Sequence, residues 1–181
     1  MAAIISLLRA VNVAGHNMVK MDALRGLYES LGLRGAQTYL QSGNVVFKTD
    51  VKNLARVQKK IEDGIEQAFG FRTSVMLRTS YELKDIIRRN PFAKRSGIEP
   101  NKLLVSFLAG RPGPECHEKI AQIKVGPEEL RLDGCELYIY YADGMGKTKL
   151  TPAMLERALK VPGTARNWNT VTKLLEMAEN L

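Results

Sequence analysis

The period of the hydrophobic pattern changes several times along the chain, and each change marks an element. Residues 3–11, AIISLLRAV, are an apolar, β-branched run suited to a buried central strand. A polar loop, NVAGHNMVK, follows. Met21, Leu24, Leu27, Tyr28 and Leu31 then fall at helical spacing, and Gly32 stands where a helix ends. Two short strand-like runs, 36–41 and 44–48, are joined so tightly at Ser42 and Gly43 that they predict a hairpin. Asp50 is placed to cap a helix with the stripe Val51, Leu54, Val57, Ile61, Ile65 and Phe69, closed by Gly70. A strand over 73–78 follows. Thr79 and Glu82 then form a capping box opening a short helix, which stops at Asn90 and Pro91.

The stretch 93–101, AKRSGIEPN, is polar and carries both Gly and Pro, as linkers do. After it the order nearly repeats. A strand over 102–108, a helix over 115–123 and a hairpin (129–132 and 136–141, about Asp133-Gly134) lead to helices near 152–159 and 168–179. The first half reads β-α-β-β-α-β plus a helix, the second β-α-β-β-α-α. The expected fold is α+β, with two ferredoxin-like (split β-α-β) subdomains in tandem and extra C-terminal helices on the second. Residues 1–92 make the first subdomain, 93–101 the linker and 102–181 the second.

The composition, 45% hydrophobic and 25% charged over 181 residues, is that of a globular chain with a sizeable core. The apolar run Ala2–Leu8 is too short to span a bilayer and has neither a basic leader nor a cleavage pattern, so a cytoplasmic protein without membrane partners is expected. Cys116 and Cys135 are not in a C-x-x-C arrangement and read as reduced structural thiols. His16 and His117 lack ligand spacing, so no metal site is expected. The net charge of +8 points to anionic partners, and residues 1–92 hold most of it, with 14 Lys+Arg against 8 Asp+Glu.

Four places concentrate groups that a stable core does not need. The buried-looking first strand ends in Arg9, with Asn12, His16 and Asn17 in the loop beyond. An arginine there needs a partner, an anion or an exit to solvent, while the two asparagines also suit turn hydrogen bonds. The hairpin Gln41-Ser42-Gly43-Asn44 combines turn formers with amides at a sheet end. The loop 142–150, ADGMGKTKL, carries Lys147 and Lys149 and is similar to the end of a phosphate-binding P-loop. The match fails, because Tyr141 stands at the required glycine and Thr151-Pro152 marks the helix start. Finally, Arg166, Asn167 and Asn169 surround the start of the last helix, where unpaired N–H groups favour an anion or a simple cap. Trp168, Val171, Leu174, Leu175 and Ala178 share its apolar face.

The segments LLRAVNVAGHN, MDALRGLYESLG, TYLQSGNVVF, NPF, LYIYYADGMGKTKL and ARNWNTVTKLLEMA, in this order, resemble an uncharacterised bacterial family, domain of unknown function 1697 (DUF1697). The resemblance implies an α+β fold of two subdomains and carries no catalytic residues over. Ala10 and Ala14 depart from it, standing where it leads to glycines; if those glycines admit a ligand to the backbone, Ala14 interferes.

The leading expectation is binding of an anionic or phosphorylated small ligand in a cleft between the subdomains, with catalysis on it left open. The contacts are Arg9, Asn12, His16, Asn17, Gln41, Ser42, Asn44, Lys147, Lys149, Arg166, Asn167 and Asn169. The alternatives are a nucleic-acid-binding protein, suggested by the basic charge and ferredoxin-like order but lacking stacking aromatics on the first strand, and a protein-interaction module without a ligand. No cofactor and no oligomeric state can be named from the sequence.

Overall fold

A computed structural model describes residues 1–181 throughout. The chain divides into two compact units, one of Met1–Asp85 with Lys173–Leu181, the other of Ile86–Thr172. The polar stretch 93–101 lies inside the second.

The first unit runs β1 (Ala2–Leu8), α1 (Met21–Ser30), β2 (Arg34–Tyr39), β3 (Asn44–Thr49), α2 (Leu54–Phe69) and β4 (Val75–Thr79), then enters α3 (Ser80–Arg88). The sheet is antiparallel in the order β2-β3-β1-β4. The most apolar run, β1, is central and paired on both edges, which is why Ile4, Ile5, Leu7 and Leu8 are all buried. On one face Ile4, Leu8, Val45, Phe47, Val75 and Leu77 pack with Leu24, Tyr28, Val57, Ile61 and Ile65 of α1 and α2. Tyr28 places its hydroxyl 2.7 Å from Ser6 Oγ inside this core, and burial pushes its pKa up. On the opposite face Ile5, Leu7 and Val46 are also fully buried.

Helix α2 starts later than its sequence suggests. Asn53, not Asp50, caps it, accepting the Arg56 N–H at 3.2 Å, and Val51 remains exposed. Asp50 instead faces the N-terminal amine at 3.6 Å. The other punctuation follows the pattern: Gly32 and Gly70 adopt left-handed φ of 75° and 78° at the ends of α1 and α2. The Thr79/Glu82 capping box forms in both directions, the Thr79 N–H donating to Glu82 at 2.7 Å and the Glu82 N–H to Thr79 Oγ1 at 3.1 Å.

The second unit runs β5 (Leu103–Leu108), α4 (Glu115–Gln122), β6 (Glu129–Asp133), β7 (Glu136–Tyr140), α5 (Pro152–Leu159) and β8 (Gly163–Asn167), then enters α6 (Trp168–Glu179). Its antiparallel sheet has the matching order β6-β7-β5-β8. Leu104, Leu108, Leu137 and Ile139 pack with Cys116, Ile120, Leu155 and Leu159 of α4 and α5. The fold is thus two split β-α-β units in tandem, as expected, with one correction. The sequence reading places two helices in succession after the second hairpin, and the structure inserts β8 between them. This edge strand follows Pro162, begins at Gly163 and carries polar residues, so it has no strand-like pattern. Gly163 is needed there, because an added Cβ would lie 2.7 Å from Ser106 Oγ and 2.9 Å from Leu108 Cδ2 on β5. Each unit therefore completes the same β-α-β-β-α-β order and runs on into a further helix.

No helix is long and apolar enough to cross a membrane.

Candidate functional site

The loop after β1 is the most unusual backbone in the chain. Ala10, Asn12, Ala14 and Asn17 all have φ between 49° and 54°, and Gly15 has φ of 79°. Left-handed conformations of this kind cost an L-residue about 1–2 kcal/mol, less for asparagine. Glycine would adopt this geometry at Ala10 and Ala14 without that cost. Replacing Ala10 by glycine is expected to stabilise the protein by about 0.5–1 kcal/mol in urea unfolding, the relieved strain exceeding the added chain entropy of the unfolded state.

Hydrogen bonds hold this conformation. Asn12 Nδ2 donates to the carbonyls of Val19 (3.0 Å) and Gln41 (2.7 Å), while Asn12 Oδ1 accepts the Val19 N–H at 2.8 Å. Asn17 Nδ2 donates to the Ala10 carbonyl at 3.0 Å, and the Asn12 N–H to the Asn17 carbonyl at 3.1 Å. The loop is thus clasped to itself, to the start of α1 and to the hairpin. There Asn44, fully buried, donates to the Tyr39 carbonyl at 2.8 Å and to Ser42 Oγ at 3.0 Å. His16 is exposed and closes a small turn through its N–H to the Val13 carbonyl at 2.9 Å.

Beside the loop lies a cleft of about 460 Å³ within the first unit. Arg9, Ala10 and Asn17 bring the strand end and loop to it. Helix α2 contributes Lys59, Glu62, Asp63 and Glu66, whose i, i+3, i+4, i+7 spacing puts them on one face, next to the buried stripe Val57, Ile61 and Ile65. The segment before β4 contributes Arg72, Thr73 and Ser74. It is fastened to the strand end, the Arg9 N–H donating to the Ser74 carbonyl (3.0 Å) and Thr73 Oγ1 to the Arg9 carbonyl (2.5 Å).

Three cations and three carboxylates face this space. Lys59 reaches both oxygens of Asp63 at 2.9 Å, and Arg72 Nε reaches Glu66 at 2.6 Å. Glu66 in turn raises the Arg72 pKa, first through that hydrogen bond. Only Arg9 and Asn17 of these lining residues stand out in the sequence. The α2 residues read as an ordinary solvated helix face, and the one signal available was that four charges keep a single helical side.

The remaining candidates fall in the second unit. Lys147 and Lys149 are exposed on a loop in which residues 145–147 form a single tight turn. Helix α5 begins at Pro152, as the sequence leads one to expect, with Thr151 Oγ1 accepting the Met154 N–H at 3.2 Å. Asn167 caps α6, accepting the Thr170 N–H at 2.9 Å, and Asn169 is exposed in the first turn. Arg166 lies just before that helix, on β8, with its side chain buried, donating to Thr164 Oγ1 at 2.7 Å and the Ala165 carbonyl at 2.9 Å. Burial lowers its pKa to about 10. Because the folded value lies below the unfolded one, this desolvation cost is constant below about pH 10 and is relieved only as pH rises through that value.

The charge surplus also shifts once the units are known. The first carries 13 Lys+Arg against 10 Asp+Glu, the second 14 against 9, because Arg88, Arg89, Lys94 and Arg95 belong to the second and Lys173, Glu176 and Glu179 to the first. No group of three or more His, Cys, Asp or Glu side chains is arranged to hold a metal ion.

Among solved structures, the chain is similar to the conserved bacterial protein SP0830 from Streptococcus pneumoniae, at 24% identity and a TM-score of 0.73 over 99% of each chain. That likeness shows the fold. No curated protein matches the sequence. The family model described as "Protein of unknown function (DUF1697)" matches residues 1–138, which span the first unit's loop, hairpin and cleft and most of the second sheet. The chain belongs to the DUF1697 family.

Proposed function

We propose that the protein binds a small anionic ligand, a phosphate or carboxylate, in the cleft beside the Arg9–Asn17 loop. The supporting observation is the loop itself. Four non-glycine residues are left-handed, with the Asn12 and Asn17 side chains bonding across the loop, although Val13, Ala14, Gly15 and His16 are exposed and add no core. Strain kept in an exposed loop that lines a cleft is the pattern of a site arranged for a ligand. Arg9 brings a guanidinium to the cleft, a planar group suited to phosphate or carboxylate, and Asn17, Thr73 and Ser74 line it with neutral polar groups.

Titration with ethyl phosphate, followed by calorimetry, tests this. The wild-type protein is expected to bind it, and Arg9→Ala to weaken binding at least about tenfold, the loss of one charge-assisted contact, while circular dichroism shows the fold intact. Undiminished binding by Arg9→Ala, or none by the wild type, overturns the reading.

Nucleic-acid binding in the manner of RNA-recognition domains has less support. The sheet face those domains use for stacking corresponds to Ile5, Leu7 and Val46, which are buried and not aromatic, and Phe47 points into the helix-covered core.

A further inference from the structure

The cleft's carboxylates are not equivalent, and the difference narrows the class of ligand. Asp63 is closed on Lys59 and Glu66 on Arg72. Glu62 has no such cation. Its Oε1 accepts the Val75 N–H at 2.9 Å and Gln58 Nε2 at 3.2 Å, which fixes the carboxylate between α2 and the first residue of β4. Its second oxygen has no donor from the chain. An amide in this place would still accept the Val75 N–H, so the fold's need for an acceptor here does not by itself require the charge on Glu62. It stands at the wall of the same cleft that Arg9 lines, held in place by bonds that leave one oxygen open.

We propose that the ligand carries a protonated amine beside its anionic group, as an aminoalkyl phosphate or an amino acid does, with Glu62 receiving the amine. This rests on the reading that the cleft binds an anionic ligand. A fixed carboxylate presents little entropic cost to an incoming ammonium group and rejects a ligand that puts a second anion there, so Glu62 acts as a specificity residue.

O-Phosphoethanolamine and ethyl phosphate differ at the far end by an ammonium group and make the decisive pair of probes for calorimetry with the full chain. The wild-type protein is expected to prefer O-phosphoethanolamine by about tenfold, the worth of one charge-assisted contact. Glu62→Gln, which keeps an acceptor for Val75, should lose that preference while still binding ethyl phosphate. Asp63→Asn, which removes the neighbouring charge already closed on Lys59, should retain it. Equal binding of the two probes by the wild type overturns the amine assignment and leaves the anionic-ligand reading standing. A preference that survives Glu62→Gln, or one that Asp63→Asn removes as completely, overturns the role of Glu62. Failure of the wild type to bind ethyl phosphate defeats the anionic-ligand reading and this inference with it.

Discussion

Gly43→Ala is expected to lower the stability of the protein by about 3–4 kcal/mol in urea or guanidinium unfolding, enough to consume a large part of the stability of a chain this size. Two effects add. The residue has φ of 75°, where a side chain brings about 1–2 kcal/mol of strain, and a Cβ there would lie 2.8 Å from Leu8 Cβ. That atom cannot retreat. Leu8 ends the central strand, bonded through its N–H to the Gly43 carbonyl at 2.9 Å and paired with β4 at Val75. The added methyl must move the strand or the hairpin, which is overpacking of a close-packed interior. Gly15→Ala is the matched control, with nearly the same φ but nothing within 4 Å of its added Cβ, so it should show the strain alone, about 1–2 kcal/mol. Equal losses in the two variants would mean that the contact with Leu8 carries no energy.

Asn12→Ala should cost about 3 kcal/mol and also loosen ligand binding. The side chain makes three hydrogen bonds at 2.7–3.0 Å, each worth about 0.5–1.5 kcal/mol, and its backbone sits at φ of 54°, which asparagine tolerates better than alanine. Asn12→Gly separates the two contributions. It accepts the conformation without strain, so it should recover about 1 kcal/mol of the loss while the hydrogen bonds stay broken. If the two variants unfold at the same denaturant concentration, strain is not part of the loop's energetics. Since Asn12 clasps the loop to Val19 and Gln41, both variants should weaken ethyl phosphate binding as well, though Asn12 does not line the cleft.

The parts of the molecule that bury an apolar face were legible in the sequence. The stripe of α2, the run of β1 and the hairpin at Gly43 all follow from periods of 3.6 and 2 with glycine at the breaks. What escaped was specified by something other than burial pattern. β8 is held by its register with β5, Leu108 opposite Gly163, where a glycine permits close approach and the side chains carry little signal. The α2 cap moved from Asp50 to Asn53 because both are good cap residues and nothing local decides between them. The cleft shows the same division. Arg9 and Asn17 are conspicuous beside an apolar strand, whereas Glu62 looks like any solvated helix residue until its bond to the Val75 N–H is seen. Arg166 shows the reverse: it reads as a helix-start cation, and its place on a strand makes it a buried one.

The division of the chain into units has a consequence for biosynthesis. The first unit is discontinuous: Lys173–Leu181 returns to it, with Lys48 donating to the Leu181 carbonyl and Lys84 paired with Glu179 at 3.0 Å. The second unit is made from an unbroken stretch. The last stretch of the first unit, residues 173–181, is therefore synthesised only after the whole of the second unit's sequence, so the loop and cleft of the first unit precede in synthesis the helix turns that Lys48 and Lys84 hold.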